Sequence, residues 1–231
     1  MYNIGIDLGG TNIAAGIVDE NGQILIKHSV PTYKERPTDE IVADMASLAK
    51  KLIAESGLNI TEFSSVGIGC PGTIDSKSGE VVYSNNIPME HYPMAQRFKE
   101  HLNLPVIIDN DANCAALGEY TVNGNEAKVF ILITLGTGVG GGIVAEGRLL
   151  HGVRGAAGEL GHITVDFDDP IQCTCGKKGC LETVASATGI VNLTRRYADE
   201  YEGDSQLKVL IDNGEEAVSY THLTLPTKLE V

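Results

Sequence analysis

The chain has 231 residues, enough for one large domain or two small ones. Hydrophobic residues make up 42% and charged residues 21% of it, which excludes a disordered or fibrous protein. The formal net charge of -14 argues against a nucleic-acid partner, because nucleic-acid backbones are bound by clustered Lys and Arg. No segment approaches the ~20 apolar residues of a membrane span, and no signal-peptide pattern is present, so we expect a cytoplasmic protein with no membrane partner.

An internal repeat organises the chain. Residues 4–11 (Ile-Gly-Ile-Asp-Leu-Gly-Gly-Thr) match residues 131–138 (Ile-Leu-Ile-Thr-Leu-Gly-Thr-Gly). In each copy an apolar strand runs into a turn of small residues and a second apolar strand, followed by a hairpin signal at 20–22 or 146–147. Each strand pair needs its own sheet and covering helices, so the repeat predicts two similar lobes.

Between the two copies, helix and strand patterns alternate, which predicts a mixed α/β protein. Thr38 is expected to cap a helix that ends at Gly57. The buried stripe of that helix is predicted to be Ile41, Met45, Leu48 and Leu52. Short buried strands are predicted at 66–69 and 106–108, and further helices at 111–120, 187–201 and 206–211.

Both turns of the repeat are rich in glycine and threonine. The residues concerned are Asp7, Gly9, Gly10 and Thr11 in the first copy and Thr134, Gly136, Thr137 and Gly138 in the second. Each glycine costs about 0.5 to 1 kcal/mol relative to alanine, so a repeated glycine turn indicates that something needs the bare backbone. Backbone N–H groups bind phosphate, and Asp7 at a strand end is suited to hold Mg²⁺ through water. For a single copy, a purely geometric turn remains the alternative.

A cysteine-rich segment follows the second hairpin. His162, Cys173, Cys175 and Cys180 offer one imidazole and three thiolates, the complete tetrahedral set of a structural zinc site. The alternative is three free cysteines in a reduced loop. Cys70 and Cys114 stand apart from this segment and are interpreted as small buried residues.

Four motifs, in this order, resemble those of the ROK family of bacterial sugar kinases and repressors. They are Asp7-x-Gly-Gly-Thr, Asn110-Asp111-Ala112-Asn113, Gly158-Glu159-Leu160-Gly161-His162, and Cys173-x-Cys175-Gly176-x-x-Gly179-Cys180-x-Glu182. The resemblance covers residues 1 to about 218 and is strongest to glucokinases. It implies a two-lobed actin/hexokinase-like (ribonuclease H-like) fold. Residues 1–110 would form the N-terminal lobe and 111–218 a partial C-terminal lobe.

The resemblance also assigns roles to individual residues. It implies ATP, Mg²⁺ and structural Zn²⁺ as cofactors, a hexose as substrate, and Asp111 as the catalytic base. The positions that match sugar contacts in the family are Asn86, Asn110, Glu159, His162 and Glu182. His162 would therefore serve both metal and sugar. The segment 85–90 departs from the usual Asn-Leu-Pro-Gly-Trp of the family by lacking the aromatic residue.

Two alternatives remain at this point. One is a kinase for another sugar, such as N-acetylmannosamine or fructose. The other is a sugar-responsive ROK repressor, which would carry a helix-turn-helix domain before the first hairpin, whereas here the hairpin starts at Ile4. Family members also continue well beyond this length and are expected to form homodimers. We therefore expect a truncated chain whose last segment, 219–231, is not native.

Overall fold

The computed structural model describes residues 1–84, 86–124, 126–203 and 205–213. Asn85 and the predicted non-native tail at 219–231 lie outside the described residues. The chain divides into two compact units: the first combines Met1–Leu132 with Gly142–Gly158, and the second combines Ile133–Gly141 with the residues from Glu159 onward. The lobe boundary predicted after residue 110 stays a prediction.

Strands and helices alternate as the sequence pattern predicts. The strands are β1 (Tyr2–Leu8), β2 (Asn12–Val18), β3 (Ile24–Pro31), β4 (Phe63–Cys70), β5 (Thr73–Asp75), β6 (Glu80–Ser84), β7 (Met89–Tyr92), β8 (Val106–Asn110), β9 (Val129–Leu135), β10 (Val139–Ala145) and β11 (Arg148–Leu149). The helices are α1 (Thr38–Ser56), α2 (Met94–His101), α3 (Asp111–Glu119), α4 (Glu182–Ala185), α5 (Ala187–Glu200) and α6 (Gln206–Asp212).

A five-stranded sheet forms the centre of the first unit. Its strand order is β3-β2-β1-β4-β8, with β1, β4 and β8 parallel and the β1-β2-β3 meander antiparallel. Alternate residues of β1 (Ile4, Ile6 and Leu8) are buried, while α1 packs against β2 and β3 and α2 packs against β8. Each buried aliphatic side chain contributes about 1.5 to 3 kcal/mol. The sheet therefore provides a rigid base for the residues that follow the carboxyl ends of β1, β4 and β8.

Helix α1 confirms the predicted stripe and corrects the predicted cap. Its stripe residues are all buried, and Gly57 ends the helix in the left-handed conformation with φ of 69°. The residue at the cap position is Pro37, and no side chain caps the helix. Thr38 is already the first helical residue, and its Oγ1 donates instead to the carbonyl of Pro88 at 3.5 Å.

Two smaller sheets complete the strand pattern. One has the order β5-β6-β7, and the other has the order β11-β10-β9. Between β10 and β11, Glu146 and Gly147 both have positive φ (49° and 76°), as the tight hairpin turn predicted there requires. Strand β9 lies at the edge of the described part of its sheet, and four of its side chains are exposed: Val129, Ile131, Ile133 and Leu135.

Two helices of the second unit, α5 and α6, begin after serine residues that act as caps. The Ser186 side chain caps α5 by accepting a hydrogen bond from Gly189 N at 2.9 Å, and Ser205 caps α6. Both helices lie where they were predicted, to within one residue at each end. Among the described residues, none of the helices combines the length and apolar character that crossing a bilayer needs.

Candidate functional site

The first turn of α3 holds the Asn110-Asp111 motif. Strand β8 ends at Asn110, whose Oδ1 accepts hydrogen bonds from the backbone N–H groups of Ala112 (2.9 Å) and Asn113 (3.2 Å). Its Nδ2 donates to the carbonyl of Gly72 at 3.1 Å. Asn110 is therefore the helix cap, and Asp111 is the first helical residue, with an exposed side chain. The positive end of the helix dipole favours the ionised form of a carboxyl at this position.

A second carboxylate supports this turn and was missed by the sequence analysis. Asp109 Oδ1 accepts from the backbone N–H of Asn110 (2.8 Å) and from Asn113 Nδ2 (3.0 Å). Asp109 Oδ2 lies 2.6 Å from Nε2 of His151. A carboxylate inside an otherwise apolar parallel strand was the available signal, but no local pattern identifies a partner 42 residues away.

The surroundings of α3 are acidic. Burial, together with the charges of Asp109, Asp111 and Asp7, raises the pKa of the Cys114 thiol to about 12. The same effects raise the pKa of Cys70, which is fully buried, whereas Cys114 is half-buried. Asp7 itself keeps an exposed side chain, but the partial desolvation of its carboxyl raises the pKa above the ordinary value. The structure thus brings Asp7, at the end of β1, into the same acidic environment as Asp109 and Asp111.

The first glycine turn joins β1 to β2. Gly9 N donates to Asn12 O at 3.0 Å, and the buried Thr32 holds the turn by donating from its backbone to Thr11 O and from its hydroxyl to Gly9 O. A Cβ on Gly9 would lie only 2.9 Å from Asn12 O, so the fold itself requires glycine there. A Cβ on Gly10, in contrast, would meet nothing within 4 Å.

The second glycine turn joins β9 to β10. Gly136 N donates to Gly138 O at 2.9 Å, and Gly136 O accepts from Ala187 N at the start of α5. Val139 N donates to Glu182 Oε2 at 2.9 Å, and a Cβ on Gly138 would lie 2.5 Å from the same oxygen. Glu182 therefore anchors this turn. As at Gly10, a Cβ on Gly136 would meet nothing within 4 Å.

The four predicted zinc ligands form one cluster. Their ligand atoms all lie within 4.8 Å of one another. Cys173 Sγ is 3.6 Å from His162 Nδ1, and Cys175 Sγ is 3.7 Å from Cys180 Sγ. With zinc–sulfur bonds of about 2.3 Å, sulfurs on a regular tetrahedron are about 3.8 Å apart, so these separations fit a shared metal ion. The donor set and its spacing therefore fit zinc.

The backbone of the cysteine segment is shaped for this cluster. Gly176 has φ of 88° and donates from its N–H to Cys173 O, which closes a tight turn between the first cysteines. Leu181 N donates to Ile163 O, so the end of the segment runs beside the residue that follows His162. His162 is the last residue of a short 3₁₀ turn that begins at Leu160.

The remaining predicted sugar residues lie at exposed or half-buried positions. Asn86 is exposed in the turn between β6 and β7, next to the buried Ile87. Glu159 Oε2 lies 3.8 Å from His162 Nε2, the ring nitrogen that does not face Cys173. The structure therefore groups Asn110 with Asp111 in the first unit. In the second unit it groups Glu159 with His162, and Glu182 with the second glycine turn.

Comparison with known proteins identifies relatives over almost the whole chain. The sequence model described as "ROK family" matches residues 3–225. A glucokinase of Halalkalibacterium halodurans is 43% identical over 212 residues, which are 91% of this chain and 64% of that protein. An N-acetylmannosamine kinase of Salmonella newport is 33% identical over 224 residues, 96% of this chain and 73% of that protein.

A solved structure confirms the predicted fold class. A ROK family glucokinase from Streptomyces griseus, in complex with glucose and AMPPNP, is similar with a TM-score of 0.73 and 38% identity. The likeness covers 87% of this chain and 62% of that one. This chain thus has the mixed α/β fold of the actin/hexokinase class, and it spans about 64% of the length of the curated glucokinases it matches.

Proposed function

Because this chain belongs to the ROK family, we propose that it carries the sugar-binding and phosphate-binding parts of an ATP-dependent kinase that converts glucose to glucose 6-phosphate. The observation that carries this proposal is the capped first turn of α3. Asn110 uses its side chain to fix the turn, and the turn presents the exposed carboxylate of Asp111 at the end of a parallel strand. The identity of 43% to a glucokinase supports glucose as the sugar.

In the proposed reaction, Asp111 is the general base. Its carboxylate accepts the proton of the sugar hydroxyl while the hydroxyl oxygen bonds to the γ-phosphorus of ATP. The bond between that phosphorus and the β–γ bridging oxygen breaks, so that ADP leaves and the proton remains on Asp111. Phosphoryl transfer depends mainly on positioning and charge stabilisation, which suits a base held rigidly at a helix start.

Sugar hydroxyls would be bound by Asn86, Asn110, Glu159, His162 and Glu182. The hydrogen bonds that Asn110 already makes limit the contacts that its side chain can form with a sugar. An amide has two N–H donors and one carbonyl acceptor; the Oδ1 of Asn110 already accepts two hydrogen bonds and one Nδ2 hydrogen goes to Gly72 O. Asn110 can therefore only donate to a sugar oxygen, through its remaining N–H.

The two glycine turns would bind the phosphate groups of ATP, with Asp7 holding Mg²⁺. Gly10 and Gly136 support this assignment, since a side chain at either position would meet no atom of the protein within 4 Å. Glycine at such a position weakens the fold with no packing reason, whereas close approach of a ligand to bare N–H groups requires it. The other residues assigned to phosphate are Gly9, Thr11, Thr134, Thr137 and Gly138.

We also propose that His162, Cys173, Cys175 and Cys180 hold a structural zinc ion. Zinc, when bound, would fix the fold of the cysteine segment and supply no reactive group, because four protein ligands leave no open position. The arrangement of His162 supports both of its proposed roles, in the metal site and in sugar binding. Nδ1 faces Cys173 and the cluster, while Nε2 faces Glu159 and remains available to a sugar hydroxyl.

A second candidate is a kinase for N-acetylmannosamine, which the Salmonella relative at 33% identity favours. Fructose is a further candidate from the family resemblance. We further propose a cytoplasmic homodimer whose ligands are a hexose and ATP. A panel of these three sugars in a coupled assay for ADP separates the substrates. The assay uses this chain extended to the length of its relatives, called the extended chain below.

The decisive variant is Asp111→Asn in the extended chain. We expect glucose affinity by calorimetry to stay nearly unchanged and turnover to fall by about 100-fold or more, because the amide keeps the shape but accepts no proton. Asp19→Asn is the matched control, since Asp19 is an exposed carboxylate that accepts backbone hydrogen bonds in a distant turn. Turnover of Asp111→Asn within a few-fold of the control would show that Asp111 is only part of the helix start.

A further inference from the structure

One histidine–carboxylate pair in the first unit has a less exposed carboxylate than two other pairs of the same length. His151 and Asp109 are in contact at 2.6 Å, as are His91 with Glu80 and His28 with Glu55. The carboxylate of Asp109 is only 14% exposed, compared with 30% for Glu80 and 39% for Glu55. A charge this far from water is costly unless its hydrogen-bond partners satisfy it.

Both carboxylate oxygens of Asp109 have hydrogen-bond partners. Oδ1 accepts from Asn110 N and from Asn113 Nδ2, and Oδ2 faces His151 Nε2. An ionised carboxylate only accepts hydrogen bonds, so His151 must donate through Nε2. His151 therefore occupies the one oxygen of Asp109 that the start of α3 does not use.

Through these contacts Asp109 holds both ends of the turn that carries Asp111. On the strand side it accepts from the backbone of Asn110, and on the helix side from the buried side chain of Asn113. Asn113 N is in turn bound by Asn110 Oδ1. Asp111 lies between these fixed points, so the direction of its backbone depends on where Asp109 is held.

We propose that Asp109 and His151 form a positioning pair that orients Asn110 and Asp111 for catalysis; this inference rests on the proposed function. His151 also supplies the hydrogen-bond partner of the second oxygen of Asp109, which stands two positions from Asp111 in an acidic environment. If the donor were lost, Asp109 would keep a buried, half-satisfied carboxylate and would be repelled by the neighbouring charge of Asp111. The first turn of α3 would then shift, and a shift of about 1 Å at a reacting group costs about 100-fold in rate.

The test compares three variants of the extended chain. His151→Leu removes the donor, His151→Gln keeps an N–H at the reach of Nε2, and His91→Leu is the matched control at an exposed pair of equal length. We expect His151→Leu to lower kcat by about 10-fold or more with the KM for glucose changed by less than about 3-fold. His151→Gln should restore kcat to within a few-fold, and His91→Leu should behave as the original protein.

A measurement that needs no turnover accompanies the kinetics. Amide hydrogen exchange of Ala112 and Asn113 reports the first turn of α3 directly, also in the 231-residue chain. We expect faster exchange at these two amides in His151→Leu than in His91→Leu. Equal kcat in these two variants, equal loss in His151→Gln and His151→Leu, or unchanged exchange would each overturn the inference. Asp111→Asn is measured alongside: if it retains turnover, the proposed function fails, whereas loss there with normal His151→Leu kinetics refutes the positioning pair alone.

Discussion

Gly72→Ala is predicted to destabilise the first unit and to weaken sugar binding. Gly72 follows β4 and has φ of 103°, a conformation that costs an L-residue about 1 to 3 kcal/mol. A Cβ there would overlap the carbonyl oxygen of Tyr83 and lie 2.9 Å from Ser84 Cα, inside the ordinary contact distance of about 3.5 to 4.0 Å. Overpacking of this kind adds about 1 to 3 kcal/mol. We therefore expect a total loss of about 2 to 6 kcal/mol in the free energy of unfolding.

Gly57→Ala is the matched control for Gly72→Ala. Gly57 also has positive φ, at 69°, but a Cβ there would meet nothing within 4 Å. Gly57→Ala should therefore lower the free energy of unfolding only through backbone strain, by about 1 to 2 kcal/mol. Urea unfolding of the extended chain measures both values, and calorimetry with glucose measures the effect on the site, because Gly72 O positions the Asn110 amide. If both variants lose the same stability, the packing argument at Gly72 is wrong.

Three further predictions concern the metal, the pH dependence and the length of the chain. Protein purified without chelator should contain one zinc ion per chain, and Cys175→Ser should lose it; elemental analysis without metal in the original chain contradicts the assignment. Because the raised pKa of Asp7 favours its protonated form in the folded state, its stabilising contribution is complete below about pH 3.8 and is lost as the pH rises through the folded-state pKa. In the absence of metal, the original chain should therefore lose stability relative to Asp7→Asn as the pH rises from about 4 to about 7. A difference in the free energy of unfolding that does not change with pH would refute this reasoning. Finally, the 231-residue chain should be less soluble and turn over more slowly than the extended chain at matched concentration, and equal activity would show that the present length suffices.

The sequence alone predicted the elements whose signals are local. Helix α1 was recognisable because its apolar stripe repeats with the helical period and Gly57 supplies a residue for the left-handed end. The hairpin turn at 146–147 was recognisable because its glycine, Gly147, readily adopts the positive φ that such turns require. The cap of α1 was predicted wrongly because the helix begins one residue early, with Thr38 already helical and Pro37 at the cap position.

Features that depend on distant contacts were not predictable in this way. Strands β5 to β7 have between three and five residues each, too few for alternation to stand out from a loop. The motif residues around Asp111 and His162 were found, but the support that holds them was not. The local sequence predicts neither the contact of Asp109 with His151 nor that of Glu182 with Val139 N, because each contact joins residues about 40 positions apart.

The outward face of β9 has a practical consequence for anyone who works with this chain. Val129, Ile131, Ile133 and Leu135 form an uninterrupted apolar row along an edge strand whose backbone groups can accept another strand. During translation or refolding, such a row is a template for adding any extended apolar segment, including the same row of a neighbouring molecule. A single lysine in place of Ile131 would interrupt the row without touching the glycine turn that follows it. Dilute refolding and this substitution are the first measures to apply when the protein precipitates.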